Sequence, residues 1–225
     1  MPPLPPHPLP PTALAAAGFV TGLAAEARIA APLGHARAGG GTGAGAEAVA
    51  EAIVREGVSA LVSFGLCGGL DPALRPGAIV IAQRVLSDGE SFAADAGWSR
   101  MLGGTTATLL AAESGVVTSA AAKAALFART GAAAVDLESG AVARVAARHG
   151  LPFAVLRAVC DPAAMTLPRL ALDALDADGR IHAGRVAWAL LRAPGDLPRL
   201  AHLARAAVLA RAALRARVAA IRAPA

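Results

Sequence analysis

The sequence is poor in the residues that mark several common classes of protein. It contains two cysteines, Cys67 and Cys160, no tyrosine, and aromatic residues make up 3% of the chain. Two cysteines exclude a disulfide framework, and no cluster of cysteine and histidine is spaced to hold a metal. Both cysteines lie in apolar, strand-like stretches, which is typical of small buried thiols. The sequence therefore predicts no structural disulfide and no metal site, and it implies no cofactor.

The chain also lacks a stretch that is long and apolar enough to span a membrane. A spanning helix needs about 20 consecutive apolar residues. The longest charge-free run, residues 1–25, is interrupted by prolines up to Pro11. Its apolar part, residues 13–25, has no basic leader and is more typical of a buried strand than of a secretion signal. We expect a cytoplasmic protein in which residues 1–12 form a disordered, proline-rich tail.

Charge is scarce and unevenly distributed. Charged residues make up 16% of the chain and hydrophobic residues 56%, so a large core of small side chains is available. The net charge is +5, yet residues 180–225 contain nine arginines and one aspartate, which leaves −3 on the remaining 179 residues. The acidic body, the few aromatic residues and the single lysine argue against a nucleic-acid-binding protein.

The arginine-rich C-terminus has the periodicity of an amphipathic helix over residues 199–222. One face is apolar, formed by Leu203, Ala207, Ala210, Leu214, Val218 and Ile221. Most of the arginines lie on the other side: Arg205, Arg211, Arg215 and Arg222, with Arg217 near the apolar face. Such a helix can pack on its own domain with a solvated arginine edge. It can also make peripheral contact with an anionic membrane, here the inner face of the cell membrane.

Apolar strands alternate with helical patterns along the rest of the chain. Strands are predicted over 14–21, 58–64, 78–85, 132–137 and 152–161, with a glycine-rich turn after the second and a further strand end at 115–120. Helices are predicted from the glycine-rich loop at 39–45 to Gly57, and over 121–130, 138–150 and 170–191. This alternation predicts an α/β fold with a mixed, mainly parallel twisted sheet flanked by helices. The domain would span residues 13–192, followed by the basic helix in 193–225.

Acids and glycines stand at the ends of the predicted strands, where ligands bind in open α/β sheets. The acids are Glu26, Asp136, Glu138 and Asp161, and the glycine-rich segments are 39–45 and 65–69. Carboxylates bind hydroxyl groups or move protons, and glycines let a ligand approach the backbone. The pattern therefore predicts a small ligand that is rich in hydroxyl and N–H groups.

Each of these signals also has a structural interpretation. Acids are favoured at helix N-termini, and Asp161 precedes a proline, as a turn residue would. The segment GTGAGA, residues 41–46, half-matches a dinucleotide fingerprint. Against that match, the preceding residues make a poor apolar strand, and Ser63 stands where the fingerprint needs an acid.

Four segments, in this order, resemble the superfamily of purine nucleoside phosphorylases and methylthioadenosine/S-adenosylhomocysteine nucleosidases. They are TGLAAEARI, SFGLCGGLDPALRPGAIVIAQ, AVDLESGAVARVA and PFAVLRAVCDPA, and the resemblance covers about residues 14–190. It implies a nucleoside phosphorylase-like fold, a homo-oligomer and cleavage of a purine N-glycosidic bond.

The same resemblance implies roles for individual residues. Glu138 would hold the ribose hydroxyls, Leu137 would pack under the sugar and Asp136 would flank it. Asp161 would be the general acid that protonates N7 of the leaving purine, with burial keeping its carboxyl uncharged, and Glu26 would orient an attacking water. Gly65, Leu66 and Gly68 form the signature turn, and Gly43 belongs to a loop that leaves phosphate contact open.

The sequence departs from the superfamily pattern at several positions. Ser63 stands where a phosphate-binding branch has arginine, and Leu66 stands where serine or threonine is common. The segment between Val117 and Val135 is short and has no clear base-stacking aromatic residue, unless Phe127 takes that place. These features and the arginine-rich tail most resemble the hopanoid-biosynthesis-associated phosphorylases.

The narrower resemblance implies release of adenine from a 5′-substituted, lipid-bearing nucleoside similar to adenosylhopane. Water and phosphate are both open as acceptors, so hydrolase and glycosyltransferase activities are alternatives. Two other functions also stay open. One is a methylthioadenosine/S-adenosylhomocysteine-type nucleosidase, and the other is a nucleoside-binding protein without catalytic activity.

Overall fold

The computed structural model describes residues 11–113, 115–167 and 197–223. A 3-10 helix, Pro11–Ala16, precedes the first strand. The strands are β1 Ala17–Thr21, β2 His35–Ala38, β3 Ala60–Gly69, β4 Ile79–Val80, β5 Ala82–Ser87, β6 Glu90–Ala93, β7 Ala107–Ala112, β8 Ala134–Asp136 and β9 Phe153–Asp161. The helices are α1 Ala24–Ala30, α2 Gly43–Val54, α3 Ala96–Met101, α4 Ala120–Thr130, α5 Ser139–Arg148 and α6 Leu197–Arg222. The helix predicted over 170–191 lies outside the described residues.

The strands form one mixed sheet in the order β2-β1-β3-β8-β7-β5-β6, with β9 paired to both β3 and β4. Most neighbours run parallel, including β1 with β2 and β3, β3 with β9, and β7 with β5 and β8. Strand β8 runs antiparallel to β3, and the β4–β9 and β5–β6 pairs are also antiparallel. The predicted fold class, a mainly parallel mixed sheet flanked by helices, is confirmed.

Two apolar layers cover the sheet because the central strands are buried on both faces. One layer contains Ala46, Ala50 and Ile53 of α2 and the apolar residues of α5, which are Ala141, Val142, Ala143, Val145 and Ala146. The other layer contains Ile29 and Ala30 of α1, Trp98 of α3 and part of α6. Alanine, valine, leucine and isoleucine make up most of both layers, and each layer contains few aromatic side chains.

The arginine-rich helix α6 packs on the same sheet as the other helices. Its buried residues are Ala206, Ala210, Leu214 and Val218, which are spaced by four and therefore share one face. Three of them belong to the core layer that also contains α1 and α3. Among the described residues, no helix is long and apolar enough to cross a membrane.

The largest difference from the predicted elements lies in the segment Gly65–Gly69. It was expected to be a turn after a short strand, but β3 continues through it to Gly69 and changes register between Cys67 and Gly68. Within this segment Gly65 has φ of +150°, which residues with a Cβ rarely adopt. The extended β3 can therefore pair with β9 along its length and with β8 at its end.

Other strand boundaries also differ from the predictions. The first strand begins at Ala17, because the residues before it form the 3-10 helix. A strand was predicted to end within 115–120, but the strand of this region, β7, ends at Ala112. The stretch His35–Ala38, considered too polar to be a strand, is the edge strand β2. Its alternation of exposed and half-buried residues suits a sheet edge, where one face stays solvated.

Candidate active site

A cavity of about 260 Å³ lies at one edge of the sheet. The acids that the sequence analysis predicted at strand ends line it. Glu26, Asp136, Glu138 and Asp161 all line it, and all four side chains are buried. They come from four separate elements or junctions: α1, the end of β8, the start of α5 and the end of β9. The arrangement brings four carboxyl groups to one small ligand-sized space.

The strand pairing around Gly68 explains why these acids meet. Gly68 pairs with Val135 of β8 on one side and with Asp161 of β9 on the other, so both strands end beside it. A Cβ at this position would lie 3.1 Å from Oδ2 of Asp161. Glycine at position 68 therefore leaves the space that the Asp161 carboxyl occupies.

Arg157, at the centre of β9, pairs with two of the acids and was not among the predicted site residues. Its side chain is 1% exposed, and its Nη2 lies 2.7 Å from Asp136 Oδ2 and 3.0 Å from Glu138 Oε2. Nη2 also donates to Ser63 Oγ at 2.6 Å, and Nη1 donates to the Leu66 carbonyl at 3.1 Å. Burial lowers the pKa of Arg157, but the neighbouring carboxylates outweigh it and the pKa is raised. The guanidinium therefore stays charged and neutralises part of the acid cluster.

Glu26 is held by backbone donors at the wall of the cavity. Its Oε2 accepts from the Leu23 N–H at 2.9 Å, and its Oε1 accepts from the Leu66 N–H at 3.1 Å. Burial raises the pKa of Glu26, while Arg157 and these backbone donors oppose the rise. Gly65 lies behind this group, since a Cβ there would come within 2.7 Å of Glu26 Oε2.

Glu138 and Asp136 are close in sequence but differ in their surroundings. Asp136 accepts from the Ser139 N–H at 3.1 Å, from the Ser139 hydroxyl and from Arg157, so its oxygens are occupied. Glu138 has Arg157 as its charged partner. Burial first, then repulsion from Asp136 and Glu26, raises the pKa of Glu138 to about 7 against the pull of Arg157. Glu138 is thus the acid of this pair that can readily take a ligand.

Asp161 has a partner that the sequence did not reveal. Its Oδ2 lies 2.7 Å from Nζ of Lys123 on α4, whose side chain is 0% exposed. The expectation for this carboxyl rested on burial, and the structure adds a buried ammonium group that contacts it directly. The available signal was compositional: Lys123 is the single lysine of the chain and stands in an otherwise apolar helix segment.

The remaining predicted residues divide between the wall and the layer behind it. Leu66, Gly68 and Leu137 line the cavity, whereas Gly41 does so instead of Gly43. Gly43 is the first residue of α2, and a Cβ there would lie 3.4 Å from the Leu137 carbonyl. It follows the N-cap Thr42, which places it inside the helix and away from the loop tip.

The side chains around the acids are mainly aliphatic and small. Val116, Val117, Leu167 and Leu203 line one part of the cavity, and the free cysteines Cys67 and Cys160 line another. Phe127 packs instead against the apolar cluster around Leu126, as an ordinary core residue would. In the part of the chain that the structure describes, no group of histidine, cysteine and acid side chains has the geometry of a metal site.

The fold and this site define a class of α/β protein whose carboxylate-lined cavity lies at the ends of its strands. The model of a family described as the phosphorylase superfamily matches residues 19–192. The chain therefore belongs to the phosphorylase superfamily. The predicted superfamily is confirmed, and membership of it supports the prediction that the chain is an enzyme. A comparison with curated proteins finds no significant match.

Solved structures of low sequence identity share the fold. The 5′-methylthioadenosine/S-adenosylhomocysteine nucleosidase of Helicobacter pylori, solved with butyl-thio-DADMe-Immucillin-A, is 15% identical with a TM-score of 0.62, covering 91% of this chain and 97% of its own. The futalosine hydrolase of the same organism is 15% identical with a TM-score of 0.64 and the same coverage. The S-adenosylhomocysteine nucleosidase of Streptococcus pyogenes, solved with 5-methylthiotubericidin, is 15% identical with a TM-score of 0.60, covering 89% and 96%.

Proposed function

We propose that the protein hydrolyses the N-glycosidic bond of an adenine nucleoside and releases adenine. The observation that carries the proposal is the convergence of Glu26, Glu138 and Asp161 on one cavity. Membership of the phosphorylase superfamily supports it, and the fold is shared with enzymes named as nucleosidases. Breaking this bond builds positive charge on the sugar and negative charge on the base. Carboxylates beside the sugar stabilise the positive charge, and an acid beside the base neutralises the negative charge.

The residues divide the chemistry between sugar, base and acceptor. Glu138 binds the ribose hydroxyls, with Leu137 against the sugar and Asp136 holding Arg157 in place. Asp161, in its protonated form, donates a proton to N7 as the bond between C1′ and N9 breaks. Glu26 accepts a proton from the water that attacks C1′, and its raised pKa makes it a stronger base than an exposed glutamate.

Charge favours water over phosphate as the acceptor. Four acids face two buried cations, Arg157 and Lys123, and both cations are already paired with carboxylates. A phosphate dianion would enter a cavity whose formal charge is negative, and like charges disfavour that. Ser63 stands at the position where arginine binds phosphate in one branch of the superfamily. Its hydroxyl is hydrogen-bonded to Arg157 and to Ser139.

We predict that adenine release does not depend on phosphate. Purified protein with a 5′-alkylated adenosine should release adenine at the same rate in phosphate-free buffer and in 50 mM phosphate. The sugar product should be the free 5-substituted ribose, identified by mass. A rate that rises with phosphate, together with a ribose 1-phosphate product, would instead make the enzyme a phosphorylase.

We further propose that the nucleoside carries an apolar 5′ substituent, as the resemblance to the hopanoid-associated subgroup implies. Val116, Val117, Leu167 and Leu203 give the cavity an aliphatic wall, and Val116 is 43% exposed, so this wall continues to the surface. An adenosylhopane-like substrate fits such a wall. A methylthioadenosine-type substrate is the second candidate, favoured by the names of the enzymes that share the fold.

Peripheral membrane contact through α6 stays a prediction of the sequence, and exposed arginines on this helix support it. We expect the protein to float with anionic vesicles and not with neutral ones. Replacing the exposed arginines of α6 by glutamine, at Arg205, Arg215 and Arg222, should abolish flotation because each basic residue near an anionic surface contributes about 1 kcal/mol.

The matched control removes the same charge elsewhere on the surface, at Arg55, Arg84 and Arg129, and should float normally. Equal flotation of both triple variants would contradict the prediction.

A further inference from the structure

Lys123 is the only lysine in a chain with 20 arginines, and it is completely buried. Its Nζ donates to the carbonyl oxygens of Asp161, Pro162 and Met165 at 3.2, 3.1 and 3.0 Å. The fourth oxygen is Oδ2 of Asp161, at 2.7 Å. A burial this complete is rare for lysine unless the ammonium is fully paired.

The surroundings of Nζ require a charged ammonium. Its four neighbours are oxygens that accept hydrogen bonds, and an ammonium group offers three donors and no acceptor. A neutral amine would place a lone pair against these oxygens and leave the Asp161 carboxylate without its counter-charge. Lysine also suits this shell better than arginine, because an ammonium is a compact point charge and a guanidinium is a planar fork.

We propose that Lys123 is a positioning residue for the reaction, which fixes the Asp161 carboxyl and sets its acid strength. This inference rests on the proposed hydrolysis of an adenine nucleoside. By holding Oδ2, Lys123 leaves Oδ1 as the oxygen that carries the transferable proton toward the base. The ammonium stabilises the carboxylate that forms when this proton leaves, so it makes Asp161 a stronger acid toward N7.

The step balances without any further reactant. The bond between C1′ and N9 breaks and its electron pair goes to the purine, while the proton on Asp161 Oδ1 moves to N7. Water adds its oxygen to C1′ and gives its proton to Glu26. Before the next turnover Glu26 releases its proton to solvent and Asp161 takes one up, and Lys123 keeps its charge throughout.

The other titratable groups near Asp161 are the same in the unaltered protein and in a variant of Lys123. The Cys160 thiol donates to Asp161 Oδ1 at 3.1 Å, and Cys67 lines the same cavity. Burial raises the pKa of both thiols well above the usual range, so they stay neutral. Glu26, Asp136 and Glu138 are the other acids near these thiols. Glu138, whose pKa is raised to about 7, titrates within the measured range, but all three acids are unchanged in a variant of Lys123 and contribute to both pH profiles.

The test is the pH dependence of kcat for Lys123→Met, which keeps the length and removes the charge. Without the cation, the carboxylate that forms when the proton leaves loses the ammonium that stabilises it. The pH at which activity falls on the basic side should therefore rise by about one to three units. The maximal kcat should fall about tenfold or more, because a weaker acid transfers its proton more slowly.

Two comparisons separate this role from simple support of the fold. Leu126→Ala removes another buried side chain from α4 and should lower thermal stability without moving the basic limb of the profile. In an Asp161→Asn background, Lys123→Met should cause no further loss of kcat, since the two residues act as a unit. The proposal would be overturned if the basic limb of the pH profile did not move in Lys123→Met. It would also be overturned if the losses of kcat were additive in the double variant.

A measurement on the unaltered protein keeps the proposal testable if the variant fails to fold. Because there is a single lysine, labelling with ¹⁵N-lysine gives one side-chain NMR signal. We expect an ammonium signal protected from solvent exchange, which shifts when adenine is added. A neutral amine, or a signal that adenine does not move, would contradict it. Failure of the proposed function looks different: the unaltered enzyme would release no adenine at any pH.

Discussion

Asp161→Asn should lower kcat for adenine release by roughly 10²–10⁴-fold, the usual contribution of a general acid. The asparagine amide keeps the shape of the side chain and can still accept a hydrogen bond from Lys123, but it has no carboxyl proton to give to N7. Free adenine should still bind with an affinity within a few fold of the unaltered enzyme. Single-turnover kinetics for the rate and calorimetry for adenine binding would measure the two effects.

The control for this prediction makes the same chemical change away from the cavity. Asp88 lies in an exposed turn with φ of +52°, a conformation that asparagine tolerates as well as aspartate does. Asp88→Asn removes an ion pair with Arg144 and should leave kcat unchanged. If Asp161→Asn also kept full activity, the assignment of Asp161 as the acid would be wrong.

Glu138→Gln should make the protein more stable above neutral pH and nearly inactive. The pKa of Glu138 is raised from 4.5 to about 7 in the folded state, so the folded state binds this proton more tightly than the unfolded state does. The free energy of unfolding therefore falls as pH rises from about 4.5 through about 7, and the total decrease is about 3 kcal/mol. Glutamine cannot ionise, so the variant avoids this cost.

Thermal unfolding of the substrate-free protein at pH 5.5 and pH 8 measures the effect. Tm of the unaltered protein should be lower at pH 8 than at pH 5.5, and most of this difference should disappear in Glu138→Gln. Glu90→Gln changes an exposed acid of β6 and should retain the pH dependence of the unaltered protein. Activity of Glu138→Gln should fall because the amide is a weaker acceptor for the ribose hydroxyls. A variant that is less stable than the unaltered protein at pH 8 would contradict the argument.

This combination of stability and function explains why the cavity contains so many acids. Three of the carboxyl groups surround one guanidinium, which makes their burial expensive, and Arg157 offsets only part of the cost. A substrate whose sugar becomes positively charged would complete the neutralisation in the transition state. Binding that improves as the reaction proceeds is the condition for catalysis.

The sequence predicted the acids of this site because each stands at the end of an apolar run, where ligands bind in open α/β sheets. How they meet was not predicted: β9 runs parallel to β3 and β8 runs antiparallel to it, and both end beside Gly68, which brings Asp161 and Asp136 together. The helix α4 and the helix that begins at Ser139 were also predictable, from periodicity and from glycines at their ends. Local patterns were enough for these features.

The residues that the sequence did not predict are those whose role depends on distant partners. Arg157 lies in the middle of an apolar strand and Lys123 in an alanine-rich helix. Neither local sequence indicates which distant residue the cation will pair with. Both cations find their acids only after β3, β8 and β9 pair. The extension of β3 through Gly65–Gly69 was missed for the same reason, since glycines locally favour a turn and only the pairing with β9 keeps them extended.

The central claim is that the cavity between Glu138 and Asp161 cleaves a purine N-glycosidic bond. The most direct measurement is the release of free adenine from adenosine, methylthioadenosine and a 5′-alkylated adenosine by the purified protein in phosphate-free buffer. The account predicts catalytic turnover, fastest with the apolar 5′-alkyl group. Binding of these nucleosides without release of adenine from any of them would contradict it and would leave a nucleoside-binding protein.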